Sequence, residues 1–183
     1  MQPLQLTLLG VNEVRSERVE AGLNLGAPRV MSSELTREGR LQGPPGQLQI
    51  LVAEDDPRTQ RLLVALLDFV GLTAVIARDG SEALEAWRSA RWDLILMDVR
   101  MPLIDGCALT GIIRRTEVSE GLDRVPIVAI TAGAAKADQE ACLAAGMDAV
   151  VSKPFAAKTL FEVIERYCGA LAVPSRQSLG VIH

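Results

Sequence analysis

A set of polar residues follows successive apolar runs of this sequence and has the composition of a metal-assisted phosphoryl-acceptor site. Asp98 ends the apolar run 94–97, and the acidic cluster 54–56 (Glu-Asp-Asp) ends an earlier one. Thr131 and Lys153 follow two later runs. Clustered carboxylates repel one another, and a divalent cation such as Mg²⁺, which prefers carboxylate oxygens and water, removes that repulsion. A carboxylate beside such an ion can attack a phosphoryl group.

Each of these residue types has a role in such a site. We predict that Asp55 and Asp98 bind Mg²⁺ directly and that Glu54 acts through a bound water. Asp98 is then the nucleophile. The Lys153 ammonium and the metal neutralise the oxygens of the incoming phosphoryl group, and the Thr131 hydroxyl donates a hydrogen bond to one of them.

Each residue taken alone also has an interpretation without chemistry. Asp56 is better explained as a helix N-cap, Lys153 as a turn residue and Thr131 as a loop hydroxyl. Asp55 and Asp98 are equally well explained as residues that end a strand or open a loop. A functional site is favoured because all of these residues follow apolar runs, in order, at one edge of the predicted sheet.

The elements that must position these residues alternate regularly from residue 48 onward. We predict strands at 50–53, 73–77, 93–97, 125–130 and 149–151, and helices at 57–70, from 79 onward, at 105–115, 134–145 and 156–168, with a polar loop at 117–124. Strands that are nearly all apolar and alternate with helices predict a doubly wound parallel sheet with helices on both faces. The ligand site of such a sheet lies at the carboxyl ends of its strands.

Composition narrows the classes of function. A net charge of −4 argues against nucleic-acid binding, and we interpret the one tight basic pair, Arg114–Arg115, as a solvated helix end. Cys107, Cys142 and Cys168 have no CxxC spacing, which fits a reducing compartment better than a disulfide framework. No apolar stretch approaches the length of about 18 residues that a membrane span needs. We therefore predict a cytoplasmic protein.

The chain divides into three predicted parts. Residues 1–47 contain recurrent Gly and Pro, end in a Gly-Pro-Pro-Gly breaker and are predicted to be a largely disordered extension and linker. Residues 48–169 form the predicted domain and 170–183 a tail. The only histidine is His183, so a phosphohistidine donor has to be another protein. The stretch after Cys168 is too short for a helix-turn-helix, which leaves output to a protein partner.

The stretch from Ile50 to Tyr167 resembles the receiver domain of bacterial two-component response regulators. The matching segments are 50–56 (ILVAEDD), 96–106 (LMDVRMPLIDG), 129–132 (AITA) and 152–155 (SKPF). The resemblance implies a flavodoxin-like fold and a cis peptide between Lys153 and Pro154. An acidic pair that begins with Glu, and a Ser before Lys-Pro, are more similar to receivers of hybrid histidine kinases than to those fused to transcription factors.

The resemblance also implies a role for each site residue. Asp98 corresponds to the phosphorylated aspartate, Glu54 and Asp55 to the acidic pair, Thr131 to the switch hydroxyl and Lys153 to the phosphoryl contact. It implies Mg²⁺ as cofactor and a histidine kinase or histidine phosphotransfer protein as donor. The expected output is a protein partner that binds the face of the fourth helix, fifth strand and fifth helix. No enzyme activity on a separate substrate and no nucleic-acid or membrane partner is expected.

Two positions depart from the pattern of this family, and three other interpretations of the function of the chain stay open. Val150 stands where many members carry Tyr or Phe, which implies a smaller output movement, and Arg100 overlooks the phosphoryl position. A phosphohydrolase or phosphotransferase with an aspartyl-phosphate intermediate needs a second acid where Arg100 stands. The second open interpretation is a receiver-like module that binds a partner without phosphorylation. The third is a fragment of a hybrid histidine kinase.

Overall fold

A computed structural model describes residues 34–35, 41–42, 47–133 and 135–169. The predicted tail at 170–183 lies outside the described residues, and so does most of the predicted extension at 1–47. Within that extension, β1 (Glu34–Leu35) pairs antiparallel with β2 (Leu41–Gln42). In the described ranges no helix combines the length and the apolar character that crossing a membrane requires.

Strands and helices alternate through the main part of the chain. The elements are β3 (Gln49–Ala53), α1 (Pro57–Phe69), β4 (Thr73–Ala77), α2 (Gly80–Ser89), β5 (Leu94–Asp98), α3 (Gly106–Glu120), β6 (Ile127–Thr131), α4 (Lys136–Ala144), β7 (Ala149–Ser152) and α5 (Ala157–Cys168). The five strands β3–β7 are parallel, in the order β4-β3-β5-β6-β7. This confirms the predicted flavodoxin-like, doubly wound sheet. The strand order reverses between β3 and β5, where such sheets bind their ligands.

The sheet is covered by a separate apolar core on each face. Side chains of β5 alternate between the two cores: Leu94 and Leu96 pack toward α1 and α5, and Ile95 and Met97 pack toward α2 and α3. All four are buried with no exposed surface. Because both faces of β5 are buried, this strand forms a rigid base for Asp98 at its carboxyl end.

Aspartates begin three of the five helices. Asp56 accepts the N–H groups of Arg58 and Thr59, as predicted for an N-cap, and Asp79 and Asp105 cap α2 and α3 in the same way. α4 has no side-chain cap, and Cys142 is its only fully buried residue. Few buried contacts make α4 the most weakly anchored of these helices.

α3 is longer than the sequence pattern indicated. The predicted helix ended at residue 115 before a polar loop at 117–124, whereas α3 continues to Glu120 and ends at the left-handed Gly121 (φ 66°). The loop prediction is therefore wrong for residues 117–120. The cause is Glu117, which is only 4% exposed and whose Oε1 accepts the N–H of Val125 at 2.8 Å. This hydrogen bond satisfies a polar side chain that the sequence pattern places in solvent.

Arg114 binds the end of α3 to the turn between α4 and β7. Its Nε donates to the Gly146 carbonyl at 2.9 Å, and its terminal nitrogens contact Glu117 at 2.8 Å and Asp148 at 2.9 Å. The Arg114 side chain is 12% exposed, so the interpretation as a solvated helix end is wrong for this residue. Arg115 is exposed, as predicted.

Replacing Arg114 by Met is expected to lower the free energy of unfolding by about 3 kcal/mol, because the buried Glu117 carboxylate would lose its cation. The matched control is Arg115→Met, which changes the neighbouring exposed residue and is expected to stay within about 0.5 kcal/mol of the wild type. Urea unfolding of the three proteins measures both values. Equal losses in the two variants would contradict the role assigned to the Arg114 ion pairs.

Candidate functional site

The carboxylates of the site come from the ends of two neighbouring strands. β3 runs parallel to β5 with Ala53 opposite Met97, so Glu54 and Asp98 follow at the same level of the sheet. Both are buried, with 1% and 7% of their surface exposed, whereas Asp55 is exposed. The strand order of the sheet reverses between these two strands. The predicted meeting of these side chains at one edge is therefore observed.

The lysine and the threonine come from the two strands on the other side of β5. Thr131, the last residue of β6, lies opposite Ser152 in β7, so Lys153 comes next at the same edge. The Lys153 N–H donates to the Thr131 carbonyl at 2.6 Å. The peptide between Lys153 and Pro154 is cis, as the resemblance implied.

One ammonium group joins the two buried carboxylates. Lys153 Nζ lies 2.7 Å from Glu54 Oε2 and 3.0 Å from Asp98 Oδ2. The second oxygen of Asp98 accepts the N–H of Arg100 at 3.2 Å. Both oxygens of Asp98 are therefore held in place by the chain, which fixes the orientation of this carboxylate.

Burial determines the ionisation of this group of residues. Desolvation raises the pKa of Glu54 to about 7; the Lys153 hydrogen bond opposes this shift and the Asp98 charge adds to it. Burial on its own lowers the pKa of Lys153, but its hydrogen bonds and charge interactions with Glu54 and Asp98 outweigh that effect, and the pKa is raised. Lys153 thus stays an ammonium at neutral pH.

Three carboxylates of the site can share one metal ion. Glu54, Asp55 and Asp98 each place one carboxylate oxygen so that all three lie within 4.8 Å of one another. All donors are hard oxygens, and the exposed Asp55 leaves one side open to water, which is the coordination that Mg²⁺ prefers. One ammonium group, that of Lys153, is not enough to balance three ionised carboxylates. The residues present therefore fit a divalent cation.

Thr131 ends β6 at the same edge of the sheet as Asp98, which pairs with the preceding residue, Ile130. It is 3% exposed, and its Oγ1 accepts the N–H of Gly133 at 3.0 Å. Because an oxygen lone pair serves Gly133, the hydroxyl proton stays available for donation to another acceptor. The same hydrogen bond links Thr131 to the loop that leads into α4.

The sequence motifs assigned no role to two residues that support the site. The Gln60 side chain donates to the Glu54 carbonyl at 2.7 Å and so fixes the end of β3. Gly106 begins α3 so close to β5 that an added Cβ would overlap the Asp98 carbonyl oxygen. A glycine at the first position of a helix, after the Asp105 cap, was the available signal for a close backbone approach.

The family model of the response regulator receiver domain matches residues 50–165 of this chain. The chain belongs to the response regulator receiver family. The resemblance inferred from the sequence motifs is thereby confirmed, and the chain carries a receiver domain of the kind used in phosphorelay systems.

The receiver domain is similar to receivers of both long kinases and short regulators. It is 38% identical over 149 residues to the hybrid signal transduction histidine kinase I of Dictyostelium discoideum, covering 77% of this chain but 8% of that kinase. It is 32% identical over 120 residues to the polar-differentiation response regulator DivK of Brucella anthropi, covering 66% of this chain and 95% of DivK.

Two solved structures extend this comparison. The receiver domain of a Pseudomonas aeruginosa PAO1 sensor histidine kinase, solved with a magnesium ion coordinated in its active site cleft, is 38% identical with a TM-score of 0.62, covering 68% of this chain and 100% of that one. The receiver domain of the Saccharomyces cerevisiae response regulator Ssk1, crystallised with the histidine phosphotransfer protein Ypd1, is 26% identical with a TM-score of 0.63. That match covers 66% of this chain and 88% of the other.

Replacing Gly106 by Ala is expected to lower the free energy of unfolding by about 1–3 kcal/mol, because the new Cβ meets the backbone of β5, which cannot move aside cheaply. Gly111→Ala, in the same helix, is the matched control. A Cβ there meets only the end of the flexible Arg115 side chain, at 3.3 Å, so unchanged or slightly higher stability is expected. Chemical denaturation distinguishes the two, and a harmless Gly106→Ala would show that the close approach is not needed.

Proposed function

We propose that this receiver domain accepts a phosphoryl group on Asp98 from a histidine kinase or a histidine phosphotransfer protein, with Mg²⁺ as cofactor, and then switches a protein partner. The observation that carries this proposal is the Lys153 ammonium bound to both Glu54 and Asp98 at the edge where the strand order reverses. A half-buried cation beside the acceptor carboxylate is the kind of group that phosphoryl oxygens require. The similarity to hybrid histidine kinases and to a receiver crystallised with Ypd1 supports this class of donor.

The acceptor step uses groups that the chain already holds in place. A carboxylate oxygen of Asp98 attacks the phosphorus of the donor phosphohistidine. The bond between phosphorus and the imidazole nitrogen breaks, and its electron pair stays on the nitrogen. Lys153 neutralises charge on the phosphoryl oxygens, and the Thr131 hydroxyl donates to one of them. The low exposure of Asp98 limits the access of water to the acyl phosphate.

Glu54, Asp55 and Asp98 are the residues that would hold Mg²⁺. When bound, the ion supplies positive charge that offsets the carboxylates and the phosphoryl oxygens. The chain keeps Glu54 in position through the Gln60 hydrogen bond to its carbonyl and through the Asp56 N–H, which donates to its Oε1 at 3.3 Å. This support favours a fixed carboxylate cluster over one that must be ordered by the ion.

The switch would act through Thr131 and α4. An aspartyl phosphate carries up to about two negative charges where the Asp98 carboxylate carried one, and the Thr131 hydroxyl is drawn toward the phosphoryl oxygens. The loop after Thr131 leads into α4, which is held by one fully buried residue, Cys142, so its displacement is cheap. The face formed by α4, β7 and α5 is the proposed contact for the partner. Val150 on this face is half-buried and has no ring to move inward, which favours a small rearrangement.

Incubation with acetyl phosphate and Mg²⁺ is expected to add one phosphoryl group to the wild-type protein, visible in the intact mass. Asp98→Asn and wild-type protein with a metal chelator are the controls, and neither is expected to gain the group. The acceptor carboxylate is missing in the first, and the charge that offsets the acidic cluster is missing in the second. Phosphorylation of Asp98→Asn would place the acceptor elsewhere and contradict the proposal.

Replacing Asp55 by Asn is expected to weaken Mg²⁺ binding at least about tenfold, because one anionic ligand becomes neutral. Asp56→Asn is the matched control: the residue is adjacent and exposed, and Asn caps a helix as well as Asp does, so affinity is expected to change less than about threefold. Isothermal titration with MgCl₂ measures both. Equal weakening in the two variants would indicate a diffuse acidic surface in place of a metal site.

A further inference from the structure

The loop from Val99 to Asp105, between β5 and α3, contains a strained turn. Leu103 has a φ of 66°, and among the described residues it is the only one other than glycine with a positive φ. The Ile104 N–H donates to the Pro102 carbonyl at 2.8 Å, so Leu103 is the central residue of a γ-turn. A γ-turn with positive φ is rare and strained, and the Cβ of a leucine adds to that strain.

No packing contact within the described part of the domain accounts for a leucine in this turn. The Leu103 side chain is 80% exposed, so it gains little from packing. Glycine or asparagine would adopt the same backbone conformation with less strain. A strained, exposed apolar residue that the fold does not need indicates a contact outside the domain.

The surrounding structure holds this turn rigidly beside the acceptor residue. The Gly106 N–H donates to the Val99 carbonyl at 2.9 Å and closes the base of the loop directly after Asp98. On the α2 side, the Gly80 N–H donates to the Pro102 carbonyl at 3.4 Å, and an added Cβ on Gly80 would overlap the Ile104 carbonyl oxygen. The tip of the loop, with Leu103, is therefore fixed above the edge of the sheet that carries Asp98.

We propose that Leu103 is a specificity-determining contact for the phosphodonor protein, a proposal that rests on the proposed function. Because Asp98 is only 7% exposed, a phosphohistidine must reach down to it, and the protein that carries the histidine must cover the loops around it. Leu103 is then buried by the donor when the phosphorus comes within bonding distance of Asp98. Its burial favours the transfer complex without touching the reacting atoms.

The other loops at this edge complete a rim of the same character. Exposed apolar residues at this edge include Pro57 at the start of α1, and Leu103, Ala132 and Pro154 on three separate loops. Asp55 and Asp56 lie on the same rim and are exposed. The surface therefore fits a donor whose histidine is surrounded by apolar side chains with basic groups on the side that meets these acids. Leu103 is the largest of the four apolar residues and the most suitable anchor.

The test compares a protein donor with a small one. The variants are Leu103→Asn, which keeps the turn and removes the apolar side chain, and Leu103→Met, which keeps an apolar side chain. The matched control is Val118→Asn, which removes an exposed apolar side chain from α3 (Val118 is 85% exposed). Each protein is phosphorylated by phosphorylated Ypd1 as the protein probe and, separately, by acetyl phosphate with Mg²⁺.

The second-order rate constant for transfer from Ypd1 is expected to fall about tenfold in Leu103→Asn and to stay within about twofold in the other two variants. The rate with acetyl phosphate is expected to be unchanged in all of them, and Leu103→Asn is expected to be at least as stable as the wild type. Equal transfer from Ypd1 to Leu103→Asn and wild type would overturn the proposal, as would slowing of both donors, which would make Leu103 part of the acceptor site.

Failure of the proposed function has a different signature. A wild-type protein that accepts phosphate from acetyl phosphate but not from Ypd1 would overturn the Leu103 contact with this class of donor and leave the acceptor chemistry intact. A wild-type protein that accepts phosphate from neither donor would overturn the proposed function itself. Leu103→Asn could also change the rate at which the aspartyl phosphate is hydrolysed while the rate of transfer from Ypd1 stays unchanged. That result would mean that the leucine shields the phosphoryl group from water, and it would overturn the donor contact.

Discussion

Two buried carboxylates share a single ammonium, and the arrangement of the whole carboxyl edge depends on that interaction. Glu54, Asp98 and Lys153 come from three different strands, and an ionised carboxylate is costly to bury unless a cation accompanies it. Only a sheet that places the ends of β3, β5 and β7 at one edge can bring them together. The apolar strands below are rigid because both faces are buried. The packed strands bring the three groups together, and the shared ammonium compensates the carboxylates that are buried there.

The charged clusters at the two edges of the sheet differ in their balance of acids and bases. At the amino edge, two arginines meet two acids in a network that is balanced in charge; its members are Arg114, Arg124, Glu117 and Asp148. At the carboxyl edge, three carboxylates meet one lysine; its members are Glu54, Asp55, Asp98 and Lys153. One lysine cannot balance three carboxyl groups, and a divalent cation would offset the remaining negative charge. The balanced cluster joins elements together, whereas the unbalanced one is suited to binding a ligand.

The fold and the clustering of the site residues could be predicted because they follow from the alternation of strands and helices. The features that could not be predicted depend on contacts between distant parts of the chain. Parallel strands end at a common edge, so polar residues after apolar runs could be mapped to one place without knowing any contact. Glu117 and Leu103 could not be interpreted in this way. The buried Glu117 carboxylate accepts a hydrogen bond from the Val125 N–H, which lies beyond a reversal of the chain. The turn at Leu103 is held by the Gly80 N–H of another helix, which donates to the Pro102 carbonyl. The division into an extension, a domain and a tail stays a prediction.

The two ends of α4 are held unequally, and this decides how a change at the site can travel. Beyond its C-terminal end, the Gly146 carbonyl accepts hydrogen bonds from both Arg114 and Arg124, at 2.9 and 2.8 Å. Its N-terminal end begins at Lys136, after the N-cap residue Ala135, which makes no side-chain cap hydrogen bond, and shortly after the loop that hydrogen-bonds to Thr131. A movement of Thr131 therefore reaches the weakly held end first. With the far end fixed, α4 would tilt about its C-terminus and not slide along its axis, which would change the proposed partner contact most near the N-terminal end of this helix.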